Sequence, residues 1–338
     1  MPTQNLSSTH RRFTLTLVAA FCLSLAACGG GGSEDEPASV SETPAAVDGM
    51  KSIAAVATTN TLLAGITIPG YPHKVDVYRP AGATKAVVFL HGHGGTSGQL
   101  AQNLGFNRTQ APVTAKNVNW DWLAANGIIA VFPQGQARPP SPLGTWSNYV
   151  FDSGQNDVAF LGALSAHVKA QYGATEVSLS GHSAGGVMTA RMWCEGTTAY
   201  KAFVSMAGPM VSSAYPMPMP TTCTPLAPAP YYMLVGGKDT KLPVFTAGVT
   251  TPTPEQIAAG LTDSILTTEW LRHQGRAQRV CGETPVLSGS TVAATGPTWN
   301  ACGGSVRYMV ISNADHPIAS LEQYAGVKMV DLIAGFMK

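Results

Sequence analysis

The residues of this chain with the most chemistry in them are Gly181-His182-Ser183-Ala184-Gly185-Gly186. A serine hydroxyl is a poor nucleophile at neutral pH. It needs a base beside it and donors for the oxyanion that its attack creates. A serine between spaced glycines recurs by chance, so its position decides its weight. Glu176 to Ser180 is predicted to be a strand and Ser183 to Cys194 a helix. That is the strand-turn-helix setting of a nucleophile elbow, where larger flanking side chains would collide with the neighbouring strand and helix. The hydroxyl would then stand at the end of the strand, near the positive end of the helix dipole.

The base and its orienting acid are expected in the chain order Ser, Asp, His. Asp239 follows the apolar run Tyr231 to Val235 through Gly236-Gly237-Lys238, and His316 follows Val306 to Ile311 through Ser312 to Asp315. Both emerge where strands of a parallel sheet end on the side of the elbow. Taken alone, Asp239 suits a turn and His316 suits a surface loop before Pro317. Order and strand ends together select Ser183, Asp239 and His316 as a triad. His273 is expected in solvent at a helix end, and Asp263 inside a helical stretch. Asp315 adjoins His316 but is expected to point elsewhere.

His91-Gly92-His93-Gly94-Gly95-Thr96 follows a further strand, Lys85 to Leu90. Such a loop can aim backbone N–H groups at an oxyanion, and His93 and Ala184 are the expected donors, with Gly94 close behind His93. A metal site at His91 and His93 is the rival, but neither carboxylate nor cysteine adjoins them. Trp146 and Tyr149 are candidates for an aromatic wall, or else for local loop packing. Met206, Met210, Met217 and Met219 would give the segment from Pro209 to Pro230 an adaptable apolar surface.

The elements that must hold these residues alternate. Leu62 to Ile68 and Lys74 to Tyr78 read as an antiparallel edge pair. Lys85 to Leu90 and Gly127 to Phe132 are near-continuous apolar runs suited to buried strands, with a helix over Trp120 to Asn126 between them. Asn156 to Tyr172 carries Val158, Leu161, Leu164 and Val168 at helical spacing behind an Asn156 or Asp157 cap. Lys201 to Met206, Tyr231 to Val235 and Val306 to Ile311 follow as strands, and Pro254 to His273 and Leu321 to Met337 as helices. This alternation predicts an α/β-hydrolase fold, a mainly parallel central sheet with helices on both faces.

From about residue 60 onward the chain resembles the secreted polyhydroxybutyrate-depolymerase-like esterases, which include feruloyl and acetylxylan esterases. The resemblance lies in Leu90 to Gly95, Val131-Phe-Pro-Gln-Gly135, Asn156 to Phe160 and Ser180 to Gly186. It continues in Trp193-Cys194-Glu195, Gly237-Lys-Asp-Thr240 and Asp315-His316-Pro317. It implies a carboxylic ester hydrolase that needs no cofactor, with cysteines at the positions of Cys194 and Cys281. Two departures leave the substrate open. The family's His-Gly-Thr before the acid reads Gly236-Gly237-Lys238, and its glycine-tryptophan run around the histidine is absent.

The 20 Lys plus Arg against 19 Asp plus Glu form no basic stripe, which excludes nucleic acid as a partner; 36 Gly and 24 Pro with 12% charged residues fit a loop-rich extracytoplasmic domain. Arg11 and Arg12 precede an apolar stretch from Phe13 to Ala27, read as a signal peptide over residues 1–27. Leu25-Ala26-Ala27-Cys28 resembles a bacterial lipobox, with Cys28 lipidated; an ordinary secretory signal is the alternative. Residues 28–55, glycine-rich and then acidic, would be a flexible tether to a membrane, and 56–338 the catalytic domain. Cys194, Cys223, Cys281 and Cys302 then allow three pairings, and the shortest loops give Cys194–Cys223 and Cys281–Cys302. Zinc is disfavoured by the lack of closely spaced Cys and His. The expected partner is an ester substrate, polymeric among the options. A serine peptidase on the same fold and an inactive polymer-binding surface protein are the other functional readings. Nothing in the sequence sets the oligomeric state.

Overall fold

A computed structural model describes residues 56–109, 113–148, 150–195, 199–209, 228–241, 264–288 and 298–338. The predicted signal peptide and tether, Tyr149, Cys223 and Asp263 lie outside them, as does nearly all of the 209–230 segment.

The described strands form one sheet in the order β1-β2-β4-β3-β5-β6-β7-β10-β9-β8. They are β1 (Thr61–Thr67), β2 (Lys74–Arg79), β3 (Lys85–Leu90), β4 (Ile128–Pro133) and β5 (Glu176–His182). Then come β6 (Phe203–Met206), β7 (Tyr231–Gly236), β8 (Val286–Ser288), β9 (Thr298–Ala301) and β10 (Val306–Ile311). The six strands from β4 to β10 across the middle are parallel, while β1 and β2 on one side and β9 and β8 on the other run antiparallel. The antiparallel edge pair expected at the start is β1 and β2. This strand order, with helices on both faces, is the α/β-hydrolase fold.

The helices are α1 (Ser97–Asn103), α2 (Trp120–Asn126), α3 (Asp157–Tyr172), α4 (Ala184–Glu195), α5 (Ser264–Cys281), α6 (Ile318–Ala325) and α7 (Met329–Phe336). Alternation along each strand divides the core. In β3, Val88 and Leu90 pack with Leu161 and Leu164 of α3 and Met188 and Met192 of α4. Val87 and Phe89 pack on the other face with Leu100 of α1, Leu123 of α2, Leu321 of α6 and Ile333 of α7. The helix boundaries follow local chemistry. Asn156 caps α3 by accepting from Ala159 N, and Gly173 ends it in the left-handed conformation.

Three expectations are corrected. The single helix over Leu321 to Met337 is two, because Gly326 at φ 68° closes α6 with its N–H on Glu322 O. The helix placed at Pro254 to His273 runs from Ser264 to Cys281 in its described part. His273 therefore sits inside it, fully buried against Tyr308 rather than solvated at its end. The strands β8 and β9, of three and four residues, are too short to show a period; they and α1 were not expected.

Candidate active site

The chain leaves β3 to build β4 on one side of it and returns to build β5 on the other. Crevices open at the carboxyl ends of strands at such a reversal, and ligands bind there. Leu90 stands opposite Gly181 in the sheet, so the loop after β3 and the turn after β5 leave it side by side.

Ser183 has φ 56°, a left-handed conformation that a non-glycine residue adopts only under constraint. The constraint is visible. Ser183 N–H donates to Met206 O of β6 at 2.9 Å, and Val187 N–H of α4 donates to Ser183 O at 2.9 Å. A Cβ on Gly181 would lie 2.2 Å from Gly185 O, and one on Gly185 would lie 2.2 Å from Leu90 O. The glycines on both sides of the serine are thus required by backbone contact.

His316 Nδ1 lies 2.7 Å from Asp239 Oδ2, and the carboxylate is 1% exposed and the imidazole 14%. A carboxylate accepts, so Nδ1 carries the proton and Nε2, on the far side of the ring, is left as an acceptor when the ring is neutral. The two loops that bring this pair together are nested. A Cβ on Gly236 would lie 2.4 Å from Ala314 O, and one on Gly237 2.6 Å from Ser312 O. This is the physical use of the Gly236-Gly237 that departs from the family pattern. Asp315 points away from the ring, as expected. It accepts from Thr240 N at 2.9 Å, Thr240 Oγ1 at 3.0 Å and His316 N at 2.8 Å, and the Thr240 N–H above all holds it below the usual carboxylate range. Asp263 lies outside the described residues.

Ser183 and His316 line one cavity of about 330 Å³ with His93, Gln99, Asn103 and His182; the two do not hydrogen-bond to each other. Among the described residues no carboxylate, lysine or arginine lines it. In the loop after β3, Gly94 N–H donates to Gly144 O at 2.8 Å and Gly95 N–H to Gly92 O at 3.0 Å. The His93 N–H has no backbone acceptor among the described residues. Ala184 N–H opens α4, where the first N–H groups lack helical partners. Gly94, the runner-up donor, is therefore engaged, and His93 and Ala184 remain the available pair.

His91 is a structural member of this loop. Its Nδ1 donates to Gly92 O at 2.7 Å, and its Nε2 accepts from Gly135 N at 2.9 Å. Both nitrogens are thereby occupied within the protein. Burial pushes the His91 imidazole down to about 4.

Trp146 is not a wall of the cavity. It is fully buried, and its Nε1–H donates to His91 O at 2.9 Å, so it holds the loop after β3 from behind. Tyr149 lies outside the described residues. Among the described residues Phe151 stacks on His93, with centroids 4.3 Å apart and planes 7° from parallel. The segment bearing it is anchored on the elbow helix: Asn148 Nδ2 donates to Ala184 O at 2.8 Å and Arg191 Nη1 to Ser147 O at 2.6 Å. Phe151, Asn148 and His182 are the neighbours that sequence reasoning missed. Only His182 had a signal, its place inside the serine motif.

Cys281 and Cys302 are bonded to each other, joining the end of α5 to the turn before β10. Cys194 is also disulfide-bonded. Its expected partner, Cys223, lies outside the described residues.

No protein-family model matches the chain, and no curated protein matches it. Among solved structures, acetyl xylan esterase from Aspergillus awamori is 16% identical over 79% of this chain and 99% of that one, with a TM-score of 0.49. An alpha-beta serine hydrolase homologue from Coxiella burnetii is 16% identical over 84% and 100%, with a TM-score of 0.43. Poly(aspartic acid) hydrolase-1 from Sphingomonas sp. KT-1 is 16% identical over 79% and 97%, also at 0.43. At these identities and scores the likenesses carry no weight for the chemistry, which rests on this chain's own residues.

Proposed function

We propose that this chain is an exported serine esterase that hydrolyses uncharged carboxylic esters, of the polyhydroxyalkanoate, feruloyl or acetyl type. The observation that carries the proposal is the His316–Asp239 contact of 2.7 Å beside a serine held at φ 56° on the same cavity. Ser183 Oγ attacks the ester carbonyl while His316 Nε2 takes its proton. Asp239 holds the proton on Nδ1 and stabilises the imidazolium that forms. The N–H groups of His93 and Ala184 receive the oxyanion. His316 then protonates the leaving alcohol as the tetrahedral intermediate collapses to the acyl-enzyme. Water attacks that ester by the same steps, releases the acid and restores Ser183.

The absence of carboxylate, lysine and arginine from the described lining supports an uncharged substrate. The resemblance of the motifs supports the choice among polyester, feruloyl and acetyl esters. A panel of soluble and polymeric esters tests the proposal, with Ser183→Ala as the control. Hydrolysis of at least one class should be lost in the variant, and activity above a tenth of wild type would remove Ser183 as nucleophile. We further propose that Cys28 anchors the enzyme to a membrane through lipid. Labelled fatty acid should enter the wild-type chain in cells and not Cys28→Ser.

A further inference from the structure

We propose that His182 is a positioning residue, which ties the loop carrying His316 to the turn carrying Ser183 through a hydrogen bond from its own ring to the His316 backbone. The proposal rests on the reading of Ser183 and His316 as nucleophile and base.

His182 is the last residue of β5, and Ser183 is the next residue in the chain. Its Nε2 lies 2.8 Å from His316 O. A carbonyl only accepts, so Nε2 carries the proton and His182 is the donor. The two imidazoles lie with centroids 5.1 Å apart and planes at 52°. On its other side, His182 Nδ1 lies 3.6 Å from where a Cβ on Gly92 would stand, so the ring fills the space between the base loop and the oxyanion loop.

The other anchors of His316 start from the loops after β7 and β10. Asp239 holds its ring, and Asp315, joined to Thr240, holds its N–H. His182 is the contact that refers its backbone to β5, the strand that ends at the nucleophile. A base and a nucleophile on separate loops need such a common reference, since a misplacement of about 1 Å can lower a rate by about 100-fold.

The hydrogen bond needs only the Nε2–H, but the tie suits catalysis only if the ring is neutral, since an imidazolium would set a positive charge beside His316. Two titratable groups act on His182: His316, from the loop after β10, and Asp239, from the loop after β7. The loop after β3 presents Gly92 and carries His91 and His93 on either side of it, and β6 places Met206 alongside. Burial, with His316 acting in the same direction, pushes the His182 imidazole down to about 4. It therefore brings no positive charge beside His316 when that ring must take a proton.

The test uses the full chain and two side chains of similar length: His182→Gln, which keeps an N–H donor, and His182→Met, which has none. The readouts are the rate of Ser183 modification by a fluorophosphonate, which needs no knowledge of the substrate, and kcat against KM on the best ester of the panel. His182→Met should lower the labelling rate and kcat by about 10- to 100-fold with KM within about twofold, as expected when orientation rather than binding is lost. His182→Gln should recover most of that loss. Its acidic limb of activity should coincide with wild type, because the ring it replaces is uncharged there. If His182→Met does not fold, His182→Gln is compared with His182→Glu, which keeps the shape and loses the donor. Equal rates in donor and non-donor variants, or an acidic limb displaced in His182→Gln, would overturn the proposal. A wild-type chain that the fluorophosphonate does not label at Ser183 would instead overturn the serine reading beneath it.

Discussion

Among the described residues two histidine–aspartate pairs have nearly the same length, and one of them shares a cavity with a serine. His316 Nδ1 and Asp239 Oδ2 are 2.7 Å apart; His73 Nε2 and Asp157 Oδ1 are 2.8 Å apart. Both side chains of the second pair are completely buried. The His73 ring is stacked on Phe160 at 3.7 Å, and its Nδ1 has no hydrogen-bond partner among the described residues. Asp157 also accepts from Ser147 N at 2.5 Å and Ser153 Oγ at 2.6 Å, which fixes the ends of the segment that carries Phe151. The pair itself therefore does not make a base. What differs is where the second nitrogen goes. That of His316 is left for a cavity shared with a serine, and that of His73 faces the interior.

The comparison breaks most sharply if the two carboxylates are altered in turn. Asp239→Asn keeps the shape but permits the wrong tautomer, so kcat should fall by about 10⁴, by analogy with other triads. Its melting temperature should stay close to wild type. Asp157→Ala should do the reverse. It removes one partner of a buried pair and two further hydrogen bonds, from Ser147 N and Ser153 Oγ, at a cost of about 3–5 kcal/mol in stability. The kcat of the molecules still folded at low temperature should stay within a few-fold of wild type. Denaturant melts and initial rates on both variants decide the matter. A loss of kcat in Asp157→Ala as large as in Asp239→Asn would mean that the buried pair serves the reaction directly.

A smaller effect is expected from the disulfide between Cys281 and Cys302, which joins the end of α5 to the turn before β10. It closes a loop with a sequence separation of 21, worth about 3 kcal/mol in the chain-entropy model. Changing both cysteines to serine should lower stability by up to about that amount and leave kcat unchanged. Non-reducing peptide mapping of the same preparation identifies the partner of Cys194, and any cysteine other than Cys223 would refute the expected pairing.

Much of this was legible in the sequence because the parallel strands are nearly continuous apolar runs. Their ends could be located, and the residues after them, Ser183, Asp239 and His316, could be assigned to one edge. What the sequence could not show was the facing of side chains across elements far apart in the chain. Trp146 was a candidate wall because aromatics line clefts. It packs against His91 and His73, 55 and 73 positions away along the chain. Phe151 carries no local pattern that points to His93. The strands β8 and β9 are three and four residues long, too short for alternation to register. His273 was misplaced because the end of its helix was set too early, at His273 itself rather than at Cys281.

His273 sharpens the comparison from the other direction, as a buried imidazole whose ring nitrogens have no hydrogen-bond partner among the described residues. It packs at 5.7 Å from the Tyr308 ring, and burial, helped by the Arg276 charge, pushes it down to about 3. The unfolded chain would titrate it near the ordinary value of about 6.5. Between these two values the unfolded state binds the extra proton, so stability must fall as pH drops through that window. Above pH 7 the ring is neutral in both states and contributes no slope. His91 and His182, each pushed to about 4, act in the same direction over most of the same window. His273→Leu removes one of these protons. Its stability, measured by denaturant midpoint at several pH values, should decline less steeply than that of wild type between pH 6.5 and 4. The two curves should run parallel at higher pH. His273 does not line the cavity of Ser183, so the acidic limb of kcat/KM should be the same in wild type and His273→Leu. Parallel stability curves throughout the acidic window would show that His273 takes up its proton within the fold, and the contrast between a buried imidazole and an accessible one would not extend to it.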